Sequence, residues 1–344
     1  MLFVTGGAGF IGGHFVRDWL ACRDEPVINL DVLSYASSAV ALASLQGDAR
    51  HHFVRGDVAD RQCVTELLAT YRPRAVIHFA AETHVDRSIS GPDAFIQSNI
   101  VGTFNLLECA RAYREALSDE AGDAFRFVHI STDEVYGALA ADDAPFTEEH
   151  RYQPNSPYSA SKAAADHLVR AWHQTYGLPV QVVHCSNNFG PYQFPEKLIP
   201  LVIQNALAGK TLPLYGDGQQ VRDWLYVGDH CAAIRRVLDA GIVGESYNVG
   251  GGNEKTNLQV VSAICHLLDA LQPRADGLSY AKQIIHVADR AGHDRRYAID
   301  ANKLRSELGW EPAETFDSGL RKTVAWSLAN PVWAEGIDPA PTGG

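Results

Sequence analysis

Two adjacent carboxylic acids are the first chemically suggestive feature of the sequence. Asp133 and Glu134 directly follow Thr132 and the apolar run FRFVHIS (125–131). Adjacent side chains of a regular strand point to opposite faces of a sheet, so the two acids can share one site only where the strand has already ended. Ligands of parallel sheets bind at that carboxyl edge. Two acids placed there could divide acid and base work in one reaction, with a solvated acidic turn capped by Glu134 as the alternative.

A tyrosine and a lysine form a second chemical pattern, YSASK. Tyr158 and Lys162 are four residues apart, which on a helix places them on one face, one turn apart. A tyrosine alone is a poor base at neutral pH because its pKa is about 10, but a nearby positive charge favours the phenolate. We expect Tyr158 to take a proton from a substrate hydroxyl that Thr132 also holds. The alternative is an exposed tyrosine and lysine on an amphipathic helix.

A glycine-rich stretch, TGGAGFIG (5–12), predicts a nucleotide site. It lies between an apolar run and a helical pattern, and it fits both GxGxxG and GxxGxxG. Glycines let the backbone turn tightly beside a pyrophosphate, and the following helix N-terminus offers unpaired N–H groups. Asp31 ends the second strand, nineteen residues after Gly12, where a carboxylate accepts from a ribose 2′-hydroxyl and repels a 2′-phosphate. The pattern therefore predicts NAD rather than NADP, with a structural turn as the alternative.

Short apolar runs alternate with helical patterns along the first half of the chain. Strands are predicted at 2–5, 26–31, 51–57, 74–81, 125–131 and 178–186, with longer helices over 92–117 and 156–177. This rhythm predicts an α/β fold with a Rossmann-type, doubly wound parallel sheet covered on both faces. We expect an NAD-binding domain over 1–186 to which later segments return, a smaller C-terminal α/β lobe over 187–330 that mainly binds the substrate, and a weakly ordered tail over 331–344.

Composition limits the classes of function. The 344 residues carry a net charge of −12, which argues against a nucleic-acid partner or an anionic membrane surface. The six cysteines include no CxxC pair, so we predict buried, reduced thiols and neither a metal site nor a disulfide framework. The sequence shows no signal peptide and no apolar run long enough to span a bilayer, so we expect a cytoplasmic protein.

With these motifs, the sequence resembles the extended short-chain dehydrogenase/reductase family over nearly its whole length, and within it the nucleotide-sugar 4,6-dehydratases. The glycines and YSASK indicate only the superfamily. The Asp133–Glu134 pair indicates the dehydratases, because the family's 4-epimerases and decarboxylases lack it. The sequence departs from the family pattern at Val32, Thr83 and Ala291. The resemblance is carried by AAETHVDRSI (80–89), STDEVYG (131–137), YSASK (158–162), NNFGPYQFPEKLIP (187–200), YGDGQQVRDWLYV (215–227), GGGNEKTN (250–257) and DRAGHDRRYAID (289–300).

The resemblance implies a reaction as well as a fold. It implies dehydration of dTDP-glucose to dTDP-4-keto-6-deoxyglucose: NAD oxidises carbon 4, water is eliminated across carbons 5 and 6, and the hydride returns to carbon 6. It implies Glu134 as the base for the carbon 5 proton and Asp133 as the acid for the departing hydroxyl. Burial and the Glu134 charge would keep Asp133 protonated by raising its pKa. It also implies a homodimer formed through the stretches near 92–117 and 157–176.

Three other functions stay open on the sequence. They are the same chemistry on another nucleotide sugar such as UDP-glucose, a nucleotide-sugar 4-epimerase or decarboxylase, and a non-catalytic NAD-binding sensor. The sensor is the most remote, because it would not need Thr132, Tyr158 and Lys162 together.

The resemblance also suggests binding residues. Arg222 and Arg290 would neutralise the phosphates of a nucleotide-diphosphate sugar, and Tyr215 would stack on its base. The alternative for Arg222 is an ion pair with Asp223, and the alternative for Asp57 is a helix N-cap. The expected NAD contacts are Gly6, Gly9, Phe10, Ile11, Gly12, Asp31, Asp57, Val58, Phe79, Ala80, Ala81, Ser98, Tyr158, Lys162 and Asn188. The expected sugar-nucleotide contacts are Thr83, Glu134, Asn187, Lys197, Leu198, Pro213, Tyr215, Arg222, Asn257, Arg290 and His293.

Overall fold

The computed structural model describes residues 1–35, 37, 40–289, 293–331 and 333. Its strands are β1 (Leu2–Thr5), β2 (Val27–Asp31), β3 (His51–Arg55), β4 (Ala75–His78), β5 (Arg126–Thr132), β6 (Val180–Cys185), β7 (Asn187–Phe189), β8 (Leu212–Tyr215), β9 (Val221–Tyr226), β10 (Ser246–Val249), β11 (Glu254–Thr256) and β12 (Ile284–Val287). Its helices are α1 (Phe10–Cys22), α2 (Arg61–Tyr71), α3 (Val85–Ser90), α4 (Asp93–Phe95), α5 (Thr103–Glu115), α6 (Asp119–Ala124), α7 (Pro157–Tyr176), α8 (Leu198–Leu207), α9 (Val227–Ala240), α10 (Asn257–Leu271), α11 (Asn302–Leu308) and α12 (Phe316–Ala329). Short 3-10 helices cover Val40–Leu45, Asp133–Tyr136 and Tyr280–Gln283, and a π-helical segment covers Ile96–Gly102.

A parallel sheet of seven strands forms the larger part of the described structure. Its strand order is β10-β6-β5-β4-β1-β2-β3, and every neighbouring pair is parallel. Strands β1, β2, β4 and β6 are buried along their whole length because helices cover both faces. The predicted α/β fold with a Rossmann-type, doubly wound parallel sheet is confirmed.

Two apolar cores lie on opposite faces of this sheet. On one face α1 and α9 pack against the strands through side chains such as Phe15, Trp19 and Ile234. On the other face α2, α5 and α7 contribute side chains such as Leu106 and Val169. The direction of winding reverses at β1, which lies between β4 and β2. The carboxyl ends of these strands therefore border the crevice in which such sheets bind ligands.

The later part of the chain both returns to this sheet and forms a smaller lobe. β10 pairs with β6 at the sheet edge, whereas β11, β9 and β7 form a separate sheet and β12 pairs with β8. Helices α8, α10 and α12 surround a third core that includes Phe189, Ile264 and Leu320. The proposed boundaries of the domains, after residues 186 and 330, stay predictions.

The segment expected to be a weakly ordered tail begins with two described residues, Pro331 and Trp333. The Trp333 indole N–H donates to the Gln193 carbonyl at 3.3 Å, and its ring centroid lies 5.3 Å from that of Tyr192. The start of this segment is thus packed on the loop after β7. Residues 332 and 334–344 lie outside the described residues.

The helix predicted over 92–117 is confirmed, with one irregularity. α4, the π-helical segment and α5 follow one another without a break. A π-helical turn is wider than an α-helical one and is frequent at functional sites. Here it carries Asn99, whose Oδ1 accepts from the Glu82 backbone N–H and whose Nδ2 donates to the Ser161 hydroxyl, both at 2.8 Å. This segment therefore ties the loop after β4 to α7.

Candidate active site

A cavity of about 290 Å³ lies at the carboxyl edge of the parallel sheet. It extends from the glycine-rich turn after β1 to the loop between β7 and α8. All the residues expected to contact NAD line it, and so do the expected catalytic residues Thr132, Asp133, Glu134, Tyr158 and Lys162. The fold therefore brings these side chains to one space, and their individual roles stay predictions.

The turn between β1 and α1 requires glycine at two positions. Gly6 has a φ of +74°, and a Cβ there would lie 2.5 Å from the backbone N of Ala80. A Cβ at Gly12 would lie 2.3 Å from the Gly6 carbonyl oxygen. Gly9 is the N-cap of α1 and makes no side-chain cap hydrogen bond. The first N–H groups of α1 are therefore available at the cavity, where the pyrophosphate of NAD fits.

Asp31 is buried at the end of β2 and lines the cavity. Its carboxylate accepts from the backbone N–H groups of Ala8 and Leu33 at 2.9 and 2.8 Å, and from the Ser37 hydroxyl at 2.9 Å. An ionised carboxylate has about four acceptor positions, so a ribose hydroxyl can still donate to it. The same charge would repel a 2′-phosphate. The position and chemistry of Asp31 fit NAD.

Asp57 lines the cavity at the end of β3, but it does not cap the next helix. Its Oδ1 accepts from the Ala59 backbone N–H at 2.8 Å. The N-cap of α2 is Asp60, whose carboxylate accepts from the Cys63 backbone N–H at 3.1 Å. The N-cap alternative for Asp57 is wrong, because α2 begins one residue after Asp60. Its adenine contact stays a prediction.

The strand that leads to the two acids ends directly before them. β5 ends at Thr132, and a 3-10 helix begins at Asp133. The Thr132 hydroxyl oxygen accepts from the Glu134 backbone N–H at 3.3 Å, which caps this short helix. Both acids line the cavity, with Asp133 only 1% exposed and Glu134 partly exposed. The predicted break in strand alternation is confirmed.

The environment of Asp133 favours its protonated form. Burial raises the pKa of this carboxyl group well above its ordinary value, and the charges of Glu134 and Asp223 add to the rise, whereas Arg222 opposes it. Asp133 Oδ2 is buried and has no hydrogen-bond partner among the described residues. A protonated carboxyl group with an unpartnered oxygen can donate to a substrate hydroxyl. The direction of the pKa shift agrees with the prediction.

Tyr158 and Lys162 lie one turn apart near the beginning of α7. The helix starts with a capping box in which Ser156 and Ser159 exchange hydrogen bonds at 3.0 Å. Lys162 Nζ donates to the Ile130 carbonyl at 2.9 Å, so its ammonium group is tied to β5. The capped helix start and this bond fix the pair at the edge of the sheet.

Burial opposes the predicted ionisation of Tyr158. It raises the pKa of the phenol, the Glu134 charge raises it further, and a hydrogen bond with Thr132 lowers it. Burial also lowers the pKa of Lys162, which the Asp166 charge opposes. The sequence argument, in which Lys162 favours the phenolate, thus omitted a desolvation effect of opposite sign. A positively charged nicotinamide ring would act in the same sense as Lys162.

The expected sugar-nucleotide contacts fall into two groups. Thr83, Glu134, Asn187 and Lys197 line the cavity. The second group does not line the cavity: Leu198 on α8, Pro213 and Tyr215 on β8, Arg222 on β9, Asn257 on α10, and His293. Arg290 lies outside the described residues and belongs to neither group. Tyr215 is 43% exposed, and its ring centroid lies 6.3 Å from that of the largely buried His293 in the smaller lobe.

Arg222 is buried on β9, and its charge acts on Asp133. Its guanidinium donates to the Asp294 carbonyl at 3.0 Å and lies 4.3 Å from the ring centroid of Tyr297. Asp223, proposed as its alternative ion-pair partner, accepts from two backbone N–H groups of the loop after β10 at 2.9 and 2.7 Å. Arg222, on β9 of the smaller lobe, is thus close enough to Asp133 for its charge to lower the pKa of that carboxyl group.

Sequence reasoning missed a group at the mouth of the cavity. Glu196 accepts from the Tyr35 hydroxyl at 3.2 Å and lies 3.5 Å from Nε of Arg87. The Arg87 guanidinium in turn lies 3.6 Å from the ring centroid of Tyr35. Tyr35 and Glu196 lie in two separate loops and Arg87 lies on α3, so no spacing in the sequence indicates that they meet. Glu196 does lie in the stretch NNFGPYQFPEKLIP, which is the signal that could have drawn attention to it.

Other expectations concern membranes, metals and cysteines. Among the described helices, none combines the length and apolar character needed to cross a membrane. The same part of the chain holds no group of three or more His, Cys, Asp or Glu side chains suited to a metal ion. All six cysteines are free thiols. The expectation of burial is wrong for Cys22, which is exposed, and for Cys63, which is partly exposed, and it is right for the other four.

Comparison with known proteins gives consistent matches over nearly the whole chain. The model of the family described as GDP-mannose 4,6 dehydratase matches residues 3–323. The dTDP-glucose 4,6-dehydratase of Xanthomonas campestris pv. campestris (strain B100) is 62% identical over 334 residues, covering 97% of this chain and 95% of that protein. The dTDP-glucose 4,6-dehydratase of Shigella flexneri is 56% identical over 344 residues, covering 98% and 95%.

A solved structure agrees with these sequence matches. The double mutant of DesIV, a dTDP-glucose 4,6-dehydratase from Streptomyces venezuelae crystallised with NAD bound, has a TM-score of 0.88 and 46% identity. The match covers 98% of this chain and 100% of that one. With the family model and these relatives matched over nearly its full length, the chain belongs to the nucleotide-sugar 4,6-dehydratase family and, within it, to the dTDP-glucose 4,6-dehydratases.

Proposed function

We propose that the protein dehydrates dTDP-glucose to dTDP-4-keto-6-deoxyglucose. One observation carries the proposal: the buried Asp133 lies directly beside Glu134 in the same cavity as Tyr158 and Lys162. A simple oxidoreductase needs only the tyrosine and the lysine, whereas removal of water also needs an acid and a base. NAD, when bound, accepts a hydride from carbon 4 of the sugar and returns it to carbon 6, so the cofactor is not consumed.

The first proton transfer falls to Tyr158. Its phenolate oxygen takes the proton of the carbon 4 hydroxyl, and the Lys162 ammonium stabilises the phenolate before the transfer. We expect Thr132, which lowers the pKa of Tyr158, to hold the same substrate hydroxyl. Oxidation of carbon 4 makes the carbon 5 proton acidic, because that proton is now alpha to a carbonyl group.

The elimination needs a base and an acid together, and one carboxyl group cannot serve as both. Glu134, which is partly exposed, takes the proton from carbon 5. Asp133 gives its proton to the carbon 6 hydroxyl, which leaves as water while the double bond between carbons 5 and 6 forms. Burial keeps Asp133 protonated for this step. Each of the two transfers is a general acid–base contribution of about 100- to 10,000-fold.

Proton balance requires one further step in each turnover. Tyr158 has gained the proton of the carbon 4 hydroxyl, and Asp133 has lost a proton to the departing water. Glu134 gives its proton back, or exchanges it with solvent, when carbon 5 is protonated again. We propose that Thr132 relays the remaining proton from Tyr158 to Asp133, because its hydroxyl donates to Asp133 Oδ1 at 3.4 Å and Thr132 also acts on the pKa of Tyr158. This transfer restores both groups for the next substrate.

The proposal also covers the contacts that bind the nucleotide part of the substrate. Arg222 and Arg290 are the proposed phosphate contacts, and the exposed ring of Tyr215 is the proposed stacking partner of the base. The names of the relatives support dTDP-glucose over UDP-glucose. Turnover of the two nucleotide sugars, compared on one enzyme preparation, decides between thymidine and uridine.

We also infer a homodimer that forms through α5 and α7. The Phe104 side chain of α5 is 40% exposed, and its ring centroid lies 5.7 Å from that of Trp172 on α7. Trp172 lies next to Tyr176, which is 48% exposed. An aromatic surface shared by two adjacent helices supports an isologous contact with a second copy. Cytoplasmic localisation also stays a prediction, supported by the six free cysteines.

Incubation of the purified protein with dTDP-glucose tests the function. We expect a product with the ultraviolet absorbance that 4-keto sugars develop in alkali, and no net reduction of bound NAD. A Tyr158→Phe variant is the control and should form none. Conversion to a carbon 4 epimer would identify an epimerase instead, and binding of NAD without any change in the sugar would identify a sensor.

A further inference from the structure

A buried polar cluster lies next to the Tyr158–Lys162 pair. Asp166 Oδ1 lies 3.2 Å from His129 Nε2, and Asp166 Oδ2 lies 3.2 Å from His184 Nε2. His129 Nε2 also lies 3.4 Å from Lys162 Nζ. Contacts therefore join the Asp166 carboxyl group to the lysine of the site. We refer to His129, Ser131, Tyr152, Lys162, Asp166 and His184 as the Asp166 cluster.

Helix α7 carries two members of this cluster, together with Tyr158, on one stripe. Tyr158, Lys162 and Asp166 follow one another at four-residue intervals, and each is at most 8% exposed. Neighbouring positions of the helix are apolar and buried, as at Ala165 and Val169. Burial of charged groups is costly unless they are paired, so packing alone gives no reason for a carboxylate at this position.

The Asp166 carboxyl group is ionised within this cluster. Burial alone would raise its pKa, but the close imidazoles of His129 and His184 outweigh burial and hold the pKa well below its usual range. Ser131 adds a hydrogen bond to Oδ2 at 2.7 Å. Burial lowers the pKa of His129 to about 4, so this imidazole is neutral at pH 7. Within the cluster, the Tyr152 hydroxyl lies 2.7 Å from His184 Nε2. The other titratable groups that face the cluster are His78 of β4, Tyr136 of the 3-10 helix and Cys185 of β6.

Lys162 depends on a negative charge of this kind. Burial lowers the pKa of its ammonium group, which favours the neutral amine, and the Asp166 charge raises it. A neutral amine would not stabilise the phenolate of Tyr158, whose pKa burial and the Glu134 charge already raise. The reaction therefore needs the positive charge of Lys162, although burial of the ammonium group disfavours that charge.

We propose that Asp166 is a positioning residue for the oxidation step: its carboxylate keeps Lys162 cationic and in place beside Tyr158. This role rests on the proposed function, because it concerns the tyrosine and lysine that the function uses. Asp166 does not line the cavity, so its effect reaches the substrate only through Lys162. Lys162 itself donates to the Ile130 carbonyl at 2.9 Å, which holds its ammonium group in this position.

Removal of the charge without change of shape tests the proposal. Asp166→Asn does this, and Asp166→Ser removes the same charge should the first variant not fold. The direct readout is the pKa of Tyr158 in the NAD-loaded enzyme, taken from ultraviolet difference titration against the Tyr158→Phe form of each variant. We expect this pKa to rise by about one unit on loss of an opposite charge near Lys162. The acidic limb of the kcat/KM profile should move up by about the same amount, with little change in KM for dTDP-glucose.

Two further variants separate charge from structure. Asp229 is also a buried carboxylate, accepting from the backbone N–H groups of Ala313 and Glu314 at 3.1 and 3.0 Å. Asp229→Asn should therefore lower stability and leave the Tyr158 pKa unchanged. Asp166→Glu keeps the charge and should keep that pKa near the wild-type value.

An unchanged Tyr158 pKa in folded Asp166→Asn would overturn the proposal and leave Asp166 a structural residue. So would a rise of equal size in Asp229→Asn. The titration uses no substrate. Failure of the proposed function, seen as no 4-keto product from the wild-type enzyme, is therefore distinguishable from failure of this proposal.

Discussion

The Thr132 hydroxyl lies 3.4 Å from Oδ1 of Asp133, at the point where β5 gives way to a 3-10 helix. The other oxygen of this carboxyl group, Oδ2, is buried without a hydrogen-bond partner in the described part of the chain. A polar atom buried in this way costs stability unless a ligand completes its bonding. We therefore expect the Asp133 carboxyl group to bind a substrate hydroxyl, so that its removal raises the stability of the protein and lowers its activity.

Asp133→Asn should raise stability at neutral pH and slow the loss of water about 100-fold or more. In the unfolded chain an aspartate has a pKa of about 3.9, and in the folded protein the pKa of Asp133 is higher. Between these values the folded state binds the extra proton, so its stability falls as pH rises. An asparagine side chain does not bind or release this proton, so the variant does not lose stability in this way. The thermal midpoint of the variant should exceed that of wild type by more near pH 8 than near pH 4, and the reverse order would contradict a raised pKa.

Glu134→Gln should separate oxidation from elimination. Oxidation of carbon 4 needs Tyr158, Lys162 and Thr132, so substrate should still reduce part of the bound NAD. Removal of the carbon 5 proton lacks its base, so 4-keto-6-deoxy product should fall about 100- to 10,000-fold. Absorbance of the reduced nicotinamide after mixing, with Tyr158→Phe as the control that shows neither step, checks this. Full turnover by Glu134→Gln would show that Glu134 is not the base that removes the carbon 5 proton.

Isotope labels should follow the hydride and the proton along different paths. The hydride leaves carbon 4 and returns to carbon 6 of the same sugar, so deuterium placed at carbon 4 should appear at carbon 6 of the product. The carbon 5 proton passes to the partly exposed Glu134, so unlabelled substrate in heavy water should gain one deuterium at carbon 5. Mass spectrometry and NMR of the product measure both. Loss of the carbon 4 label to solvent is incompatible with the mechanism.

Asp31→Ala should weaken NAD binding about 10- to 100-fold, the usual effect of losing a hydrogen bond to a charged group, and should lessen discrimination against NADP. Asp31 also accepts from the Ser37 hydroxyl, so Ser37→Ala is the matched control that disturbs the same loop and keeps the carboxylate. Titration of cofactor-free protein with NAD and NADP measures the preference. Equal affinity of wild type for both cofactors would show that Asp31 does not select between them.

Phe104→Glu should weaken the proposed homodimer. The substitution places a charge in the aromatic surface formed with Trp172 and Tyr176, where it would be desolvated in a dimer. Light scattering at micromolar concentration should give twice the chain mass for wild type and a lower average mass for the variant. Leu278→Glu is a control, because Leu278 is also an exposed apolar residue but lies outside α5 and α7. A monomeric wild type would rule the dimer out.

The sequence by itself determined those features that depend only on residues close together in the chain. Glycines at a strand–helix turn can be recognised because the backbone there needs residues without a Cβ, as the contacts of Gly6 and Gly12 show. Tyr158 and Lys162 can be recognised because helical periodicity alone places them on one face. The order of strands and helices follows from patterns of apolar residues and predicted the fold, whereas the local motifs indicated the family.

Only the tertiary structure decided how deeply each side chain is buried and which residues distant in sequence come into contact. The pKa of Tyr158 is raised because the fold desolvates it, an effect that no spacing of residues encodes. Asp166 meets His129 and His184 because two strands and a helix pack together, and Glu196 meets Tyr35 because the loop after β2 and the loop before α8 come into contact. Such contacts depend on chain segments far apart in sequence, and their energies depend on the exclusion of water, which only the packed molecule provides.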